Sequence, residues 1–197
     1  MIKFIKNDAQ PILEIHKLFT KALKSNQKSP EAFIISTSFN NMPSSRCVNI
    51  KEIKQNKFIF FSNYSSRKGM EINKNKNVAG LFYWNSINCQ IRIEGRIKKL
   101  STMQSDSHFI NREYKKNIAA ISSNQSNIID SYREIEEKYE KTFQKYKNIT
   151  MKRPKYWGGY EINPNSLEIW IGNKNRLNYR IKYILERKKW NSYILEP

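Results

Sequence analysis

Short apolar segments of strand length, each bounded by turn residues, recur through most of this 197-residue chain. Their β-branched and aromatic side chains suit the pleated surface of a sheet, and the segments are too short for typical helices. Where only a short turn separates two segments, the neighbouring strands are expected to pair antiparallel. The sequence predicts strands at 32–39, 46–50, 57–62, 78–84, 90–100, 156–162, 167–171, 176–184 and 190–194.

Helices are predicted at the start of the chain and between the strands. Apolar positions at helical spacing predict an N-terminal helix over about 9–25. Further helices are expected from about 66 to 74, from Ser101 onward, and over the charged amphipathic segment 130–146. No repeat or long linker divides the chain, so residues 1–197 are expected to form one domain. This pattern indicates an α+β barrel.

The composition is strongly basic, with 36 Lys and Arg residues against 17 Asp and Glu residues and a formal net charge of +19. Such a charge first suggests a nucleic-acid partner. The lysines, however, are dispersed along the chain and are not gathered in one stripe. We therefore favour a solvated surface with a site for an anionic ligand over nucleic-acid binding.

Several classes of protein are disfavoured by what the sequence lacks. No apolar run approaches the ~20 residues of a membrane span, and residues 1–8 do not have the long apolar region of a signal peptide. Cys47 and Cys89 are expected to be reduced and buried, which fits a cytoplasmic protein. With His16 and His108 as the only histidines, no metal site is predicted. Because phosphate-loop and nucleophile-elbow patterns are missing too, a borrowed organic cofactor is the more attractive source of chemistry.

Three segments are candidates for binding an anion. Ser65–Lys68 stands at a predicted helix start, where unsatisfied backbone N–H groups and adjacent cations attract phosphate, although a capped surface helix is the commoner meaning. Arg46 and Lys51 stand at the two ends of one predicted strand, which a two-faced strand with charged ends explains equally well. Gln125 and Ser126 lie in a polar segment that by itself indicates only an ordinary loop.

The C-terminal third carries a further candidate. A proline and paired glycines in 154–160 open an apolar strand, Trp170 closes the next strand, and Arg176 and Arg180 follow. Guanidinium groups bind carboxylate or phosphate in a fixed fork and stack on flat rings, so this pattern suits an anionic, planar ligand. Trp170 taken alone is more often a core residue, whereas two arginines without nearby acids are harder to explain as surface.

Taken in order, these motifs resemble the pyridoxine/pyridoxamine 5'-phosphate oxidases, a family of FMN-dependent flavoproteins. The likeness covers about 30–197, with a C-terminal signature at about 154–197. It implies an FMN-binding split β-barrel, antiparallel and Greek-key-like with peripheral helices, and a homodimer with FMN at the subunit interface. The matching motifs are R-x-V-x-x-K at 46–51, S-R-K at 66–68, a strand with Gln90, the pair Gln125-Ser126, W-G-G at 157–159, E-x-W at 168–170 and R-L-x-x-R at 176–180.

The resemblance also implies roles for individual residues. On the cofactor side it assigns Arg46, Arg67 and Lys68 to the FMN phosphate, Phe61 and Ser62 to the flavin pocket, Gln90 to the isoalloxazine, and Gln125, Ser126, Trp170 and Arg180 to the rest of the FMN site. On the substrate side it assigns Lys51 and Arg112 to the substrate phosphate and Arg176 to the pyridine ring near the flavin.

The chain departs from the family pattern on the substrate side. Asn178 replaces the ring-contacting histidine of the family, and asparagine can hydrogen-bond but cannot take a proton at neutral pH. His108 replaces a tyrosine and Lys116 replaces a serine at the substrate phosphate, and both replacements can still contact it.

Three functions are compatible with these residues. The preferred hypothesis is an FMN-dependent oxidase that converts pyridoxamine or pyridoxine 5'-phosphate to pyridoxal 5'-phosphate, with O2 as acceptor and H2O2 as product. The second is a flavin oxidase of the same fold acting on another reduced aromatic compound, such as a dihydrophenazine-type substrate, which Asn178 and Lys116 motivate. The third is a basic nucleic-acid-binding protein, which the net charge motivates.

Overall fold

Residues 1–147 and 149–197 are described by the structure, a computed structural model. In these ranges the chain forms ten strands and five α-helices. The strands are β1 (Lys3–Ile5), β2 (Ala32–Phe39), β3 (Met42–Asn49), β4 (Glu52–Lys54), β5 (Lys57–Asn63), β6 (Asn77–Trp84), β7 (Cys89–Lys99), β8 (Trp157–Ile171), β9 (Tyr179–Glu186) and β10 (Lys189–Ile194). The helices are α1 (Gln10–Lys24), α2 (Arg67–Lys74), α3 (Thr102–Ile110), α4 (Tyr114–Ser122) and α5 (Tyr132–Tyr146).

One sheet contains all ten strands, in the order β1-β4-β5-β8-β7-β6-β2-β3, with β9 pairing β8 and β10 pairing β9. Every neighbouring pair is antiparallel except β1 and β4, which run parallel over three residues. Strand β5 lies beside β8, at the far side of the β6-β7-β8 meander, which is a Greek-key arrangement. The expected α+β class with an antiparallel, Greek-key-like sheet and peripheral helices is therefore confirmed, and the short parallel pair is an addition to it.

Strand β8 is the longest element of the sheet and has three neighbours. Its first half pairs with β5, its second half with β9, and β7 runs beside both halves. The sequence predicted two strands, 156–162 and 167–171, and that division was wrong. The chain continues through a β-bulge in which Asn165 is the extra residue, between Pro164 opposite Gly95 and Ser166 opposite Glu94. A bulge tolerates the missing N–H of proline, so Pro164 does not end the strand.

The strand predicted at 176–184 starts later than expected, at Tyr179. Asparagine side chains close a turn before it: Asn178 Oδ1 accepts from the Asn173 backbone N–H at 3.0 Å, and Asn173 Oδ1 accepts from that of Asn175 at 2.9 Å. Such side-chain bonds to the backbone favour a turn over a strand. As a result Arg176 stands in the turn, with a φ of 61°.

The core is built from aromatic and β-branched side chains that face one side of the sheet and helix α1. Phe33 and Phe82 lie 4.7 Å apart between ring centroids, and the indole N–H of Trp84 donates to the Pro30 carbonyl at 2.9 Å. Both cysteines are free, as expected, but only Cys89 is buried. Cys47 is exposed, because it lies on β3, the last strand along the hydrogen-bonded order.

The connection from β7 to β8 carries α3, α4 and α5, of which α3 packs against β8 and α4 packs against α5. The sequence predicted the first and last of these and missed α4. Across the described ranges, none of the helices has the length and apolar character needed to cross a membrane.

Gly80 offers a direct test of core packing. A Cβ atom at this position would overlap the Cζ atom of Phe33, a side chain with no exposed surface. We expect Gly80→Ala to lower the free energy of unfolding by about 1–3 kcal/mol, since overpacking forces side chains off their rotamers. Urea denaturation measures the change, with Ala79→Ser as the control on the same strand. Phe33→Leu should recover part of the loss in the Gly80→Ala background. A Gly80→Ala protein as stable as the wild type would contradict this account of the packing.

Candidate functional site

A cleft of about 390 Å³ opens between strands β3 and β5 and the helices of the β7–β8 connection. It is lined by four basic side chains and by no carboxylate, so it suits an anion. Cys47, Val48, Asn49 and Trp157 complete its wall. Eight of the residues expected from the sequence meet here: Lys51, Phe61, Ser62, Lys68, His108, Arg112, Lys116 and Gln125.

Lys68 is the most buried cation of the cleft, with 8% of its surface exposed. It stands in the first turn of α2, whose N-cap residue is Ser66. Its ammonium group donates to Ser66 Oγ at 2.9 Å and to Gln125 Oε1 at 2.7 Å, and both acceptors are uncharged. Burial, and then the charge of Arg46, lower the pKa of Lys68 to about 8. A bound anion would supply the counter-charge that this ammonium group lacks.

Arg46 and Arg67 meet at a buried carboxylate beside the cleft. Glu71, on the second turn of α2, accepts from Arg46 Nη2 at 3.1 Å and from Arg67 Nε at 2.9 Å. It also accepts from the hydroxyl groups of Thr37 and Ser44. Burial alone would raise the pKa of Glu71, but these four hydrogen bonds lower it to about 2. Glu71 is therefore ionised near neutral pH.

Three aromatic rings stack along one wall of the cleft. The rings of Phe61 and His108 lie 3.5 Å apart at an angle of 6°, and the ring of Trp157 lies nearly parallel to both, 5.6 Å from Phe61 and 6.2 Å from His108. The Arg112 guanidinium lies 5.1 Å from the Trp157 ring centre, a cation–π contact. Burial, and then the charges of Arg112, Lys51 and Lys3, lower the pKa of His108 to about 4. His108 is therefore neutral at pH 7, where one ring nitrogen can donate a hydrogen bond.

The remaining residues of this group are held less tightly. Ser62 Oγ donates to Gln125 Oε1 at 3.4 Å. Lys51 follows β3 and is anchored by its backbone N–H, which donates to the Ile59 carbonyl at 2.8 Å. Lys116 is exposed and pairs with Glu113 at 2.7 Å. Ser126 is expected at the site but borders a neighbouring cavity of about 360 Å³.

A second group of expected residues forms a row across three strands. Gln90 on β7 lies opposite Trp170 on β8, which lies opposite Arg180 on β9. Residues directly opposite each other point to the same face of a sheet, so these three half-buried side chains are neighbours. Glu168 anchors the row, because its Oε1 accepts from Arg180 Nε at 2.9 Å.

Arg176 and Asn178 stand in the turn just before β9, beside this row. Arg176 is exposed. The side-chain amide oxygen of Asn178, Oδ1, already accepts a hydrogen bond from the Asn173 backbone N–H. The amide N–H groups of Asn178 are therefore the part of the side chain that could meet a ligand, as donors. No residue of the row or of this turn lines the 390 Å³ cleft.

Sequence reasoning gave no role to Trp157, which lines the cleft, or to Glu71, which lies beside it. Trp157 belongs to the W-G-G motif, so its motif was noticed, but the ring stack it joins depends on strand pairing that a sequence does not display. Glu71 follows Arg67 by four residues, the spacing at which oppositely charged side chains pair on a helix, and that signal could have found it.

The arrangement fits a ligand that is both phosphorylated and planar. In the part of the chain that the structure describes, Lys68 has no carboxylate partner; Arg112 and Lys51 line the same cleft, and the stacked rings offer flat surfaces. FMN and pyridoxine phosphates both combine these two features, so the residues present are compatible with the groups that the resemblance implies.

The burial of Lys68 makes stability depend on pH in a predictable direction. Its pKa is about 8 in the folded chain and 10.5 in the reference state, so the unfolded chain holds more protons between these values. The free energy of unfolding of the ligand-free protein should therefore rise with pH from about 8 to 10.5, by at most about 3 kcal/mol.

Urea denaturation at a series of pH values measures this rise. We expect Lys68→Met to flatten it and the exposed-lysine control Lys115→Met to leave it unchanged. A rise of the same size in Lys68→Met would show that another group is responsible.

Comparisons with known proteins agree with this geometry. Residues 19–146 match the family model described as pyridoxamine 5'-phosphate oxidase, and residues 157–197 match that of the pyridoxine 5'-phosphate oxidase C-terminal dimerisation region. The pyridoxine/pyridoxamine 5'-phosphate oxidase of a Nostoc species is 36% identical over 195 residues, 98% of this chain and 91% of the relative. The enzyme of the same name from Actinobacillus pleuropneumoniae is 38% identical over 189 residues, 96% of this chain and 90% of the relative.

Two solved structures share the fold. PhzG from Burkholderia lata, in complex with tetrahydrophenazine-1-carboxylic acid, superposes with a TM-score of 0.90 at 24% identity, covering 96% of this chain and 94% of that one. An FMN-binding, pyridoxamine 5'-phosphate oxidase-related protein from Nostoc punctiforme gives 0.76 at 12% identity, with 92% and 96% covered. These likenesses confirm the expected fold class. Together with the near-complete sequence matches, they show that the chain belongs to the pyridoxine/pyridoxamine 5'-phosphate oxidase family.

Proposed function

We propose that this protein is an FMN-dependent oxidase that converts pyridoxamine or pyridoxine 5'-phosphate to pyridoxal 5'-phosphate, with O2 as acceptor and H2O2 as product. The observation that carries the proposal is the cleft itself: four basic side chains and a stack of rings line it, and within the described ranges its most buried cation, Lys68, contacts only uncharged acceptors. The names of the relatives that match almost the whole chain support the same reaction.

On the cofactor side, Arg46, Arg67 and Lys68 would hold the FMN phosphate. Phe61 and Ser62 would line the flavin pocket, with Gln125 and Ser126 completing it. Bound FMN would supply the redox chemistry, as the acceptor of a hydride from the substrate carbon beside the ring and the donor of electrons to O2.

On the substrate side, Lys51, Arg112 and Lys116 would bind the phosphate of the B6 compound as cations. His108, neutral at pH 7, would add a hydrogen-bond donor without adding charge. Arg176 would orient the pyridine ring and stabilise charge near the reacting carbon. Asn178 would donate an amide N–H to a ring substituent.

Both groups of residues would act on one ligand only if two copies of the chain pair. Trp157 borders the cleft and Trp170 lies in the row, at opposite ends of β8. At about 3.3 Å per residue, the thirteen steps between them span on the order of 40 Å along the strand. The row that would complete the flavin site, Gln90, Trp170 and Arg180, would therefore face the cleft of the partner. The match of residues 157–197 to a dimerisation region supports a homodimer with FMN at the interface.

The reaction is tested by the visible spectrum of the FMN-loaded protein without oxygen. Addition of pyridoxamine 5'-phosphate should bleach the flavin absorption, and admission of O2 should restore it with one aldehyde formed per flavin. Pyridoxamine, which lacks the phosphate, is the matched control and should bleach the flavin only at much higher concentration. A flavin spectrum that stays unchanged with both B6 phosphates would overturn the proposed reaction.

The composite site predicts that two defective chains can complement each other. One double variant, Arg67→Met/Lys68→Met, removes two cations proposed for the FMN phosphate. The other, Trp170→Ala/Arg180→Met, removes two side chains of the row. The homodimer of either variant should fail to bind FMN. When the two variants are co-expressed with different tags, the mixed dimer contains one intact cleft facing one intact row. We expect it to bind one FMN per dimer, measured by absorption after release. Mixed dimers without FMN would show that each site is built within one chain.

A second candidate is a flavin oxidase of the same fold acting on a reduced aromatic acid of the dihydrophenazine type. Asn178 and Lys116 favour it, because both stand where the family pattern has other residues, and PhzG superposes closely. Bleaching of the flavin by a carboxylated dihydrophenazine, and not by either B6 phosphate, would select this reaction.

A further inference from the structure

Three buried carboxylates occur in the described ranges, and each bridges two cations. Glu161 pairs with Lys57 at 3.3 Å and Lys98 at 3.2 Å, away from the cleft. Glu168 pairs with Arg92 and Arg180, and Glu71 pairs with Arg46 and Arg67. Of the three, Glu71 is the one that joins two arginines proposed for the same phosphate.

The two arginines depend on Glu71 to different degrees. Arg46 also donates to the Thr37 hydroxyl, the Ser44 hydroxyl and the Ser44 carbonyl, so its position is fixed several times over. The Arg67 side chain is 62% exposed, and within the described part of the chain Glu71 is its one hydrogen-bond partner. Loss of Glu71 would thus leave Arg46 in place and release Arg67.

We propose that Glu71 is a positioning residue for the cofactor phosphate: it holds the Arg67 guanidinium beside Arg46 and Lys68, so that three cations from two elements converge on one anion. The inference rests on the proposed binding of FMN. Glu71 itself does not touch the ligand and acts through Arg67.

Charge balance supports this role. Arg46, Arg67 and Lys68 with one ionised Glu71 leave a net charge of +2, which matches the charge of a phosphate monoester near neutral pH. Three cations gathered without the carboxylate would repel one another in the empty site. With it they are held in place before the ligand arrives, so less ordering is needed on binding.

Glu71→Gln is the informative variant because glutamine has nearly the same shape. Oε2 of Glu71 accepts from Thr37, Ser44 and Arg46, while Oε1 accepts from Arg67 alone. Glutamine keeps one side-chain oxygen. We expect it to take the position of Oε2, where it would accept from Thr37, Ser44 and Arg46. The new NH2 group would then face the Arg67 N–H groups, and that contact would be lost.

The test is a double-mutant cycle of Glu71→Gln and Arg67→Met, read out by the Kd of FMN from flavin fluorescence quenching. Riboflavin, which has the same ring system and no phosphate, is measured beside it. We expect each single variant to weaken FMN binding about tenfold. The double variant should be no weaker than Arg67→Met alone, because Glu71 acts through Arg67. Riboflavin binding should stay unchanged in all three.

Glu161→Gln serves as the matched control, since it alters an equally buried carboxylate that bridges two lysines outside the site. It should bind FMN as the wild type does. FMN binding by Glu71→Gln equal to that of the wild type would overturn the inference, as would effects of the two substitutions that simply add. Equal weakening of riboflavin would point to a general loss of structure and would overturn it too. A wild-type protein that binds no FMN would instead refute the proposed function.

Discussion

The candidate site depends on how a small number of carboxylates is distributed among many cations. The chain carries 36 basic residues and 17 acidic ones, and each buried carboxylate of the described chain is shared by two cations. Lys68 is different: within the described ranges its hydrogen-bond partners are a hydroxyl and an amide oxygen, both uncharged. A buried ammonium without a counter-charge is costly, so the fold keeps in this cleft a charge that an anion stabilises. In the proposed function, the preference for a phosphorylated ligand would follow from that local lack of negative charge rather than from the overall charge.

The sheet determines how the site is divided. Because β8 has β5 beside its first half and β9 beside its second half, the residues attached to each half are kept far apart within one chain. Helices α3 and α4 add their side chains to the first half only. In the proposed reaction the homodimer would therefore be required to complete the binding site, because the row and the cleft of one chain lie too far apart to contact the same ligand.

The position of the S-R-K motif could be predicted from the sequence because a helix start has a local signal, whereas the proposed role in binding a phosphate came from the family resemblance, since the motif alone favoured a capped surface helix. The S-R-K motif stands at a helix N-terminus, and the structure places Ser66 as the N-cap and Lys68 in the cleft. The sharing of Glu71 by Arg46 and Arg67 could not be predicted, since it depends on the register of β3 against β2 and on the docking of α2. The sequence predicts a strand that begins at Arg176, whereas asparagine side chains hold that segment as a turn and the strand begins at Tyr179. Local sequence patterns therefore predicted most helices and strands, but they did not predict which of these elements pack against one another.

The bulge in β8 determines which face of the sheet the side chains of each half of the strand occupy. Before it, the core residues are even-numbered, as with Tyr160 and Ile162; after it they are odd-numbered, as with Leu167 and Ile169. Trp157 and Trp170 are thirteen residues apart, an odd number that would place them on opposite faces of a regular strand. The extra residue Asn165 restores the phase, so both tryptophans point away from the core. Deletion of Asn165 would shorten the strand by one residue. It would also turn every side chain on one side of the bulge to the opposite face of the sheet, so that core residues would face outward.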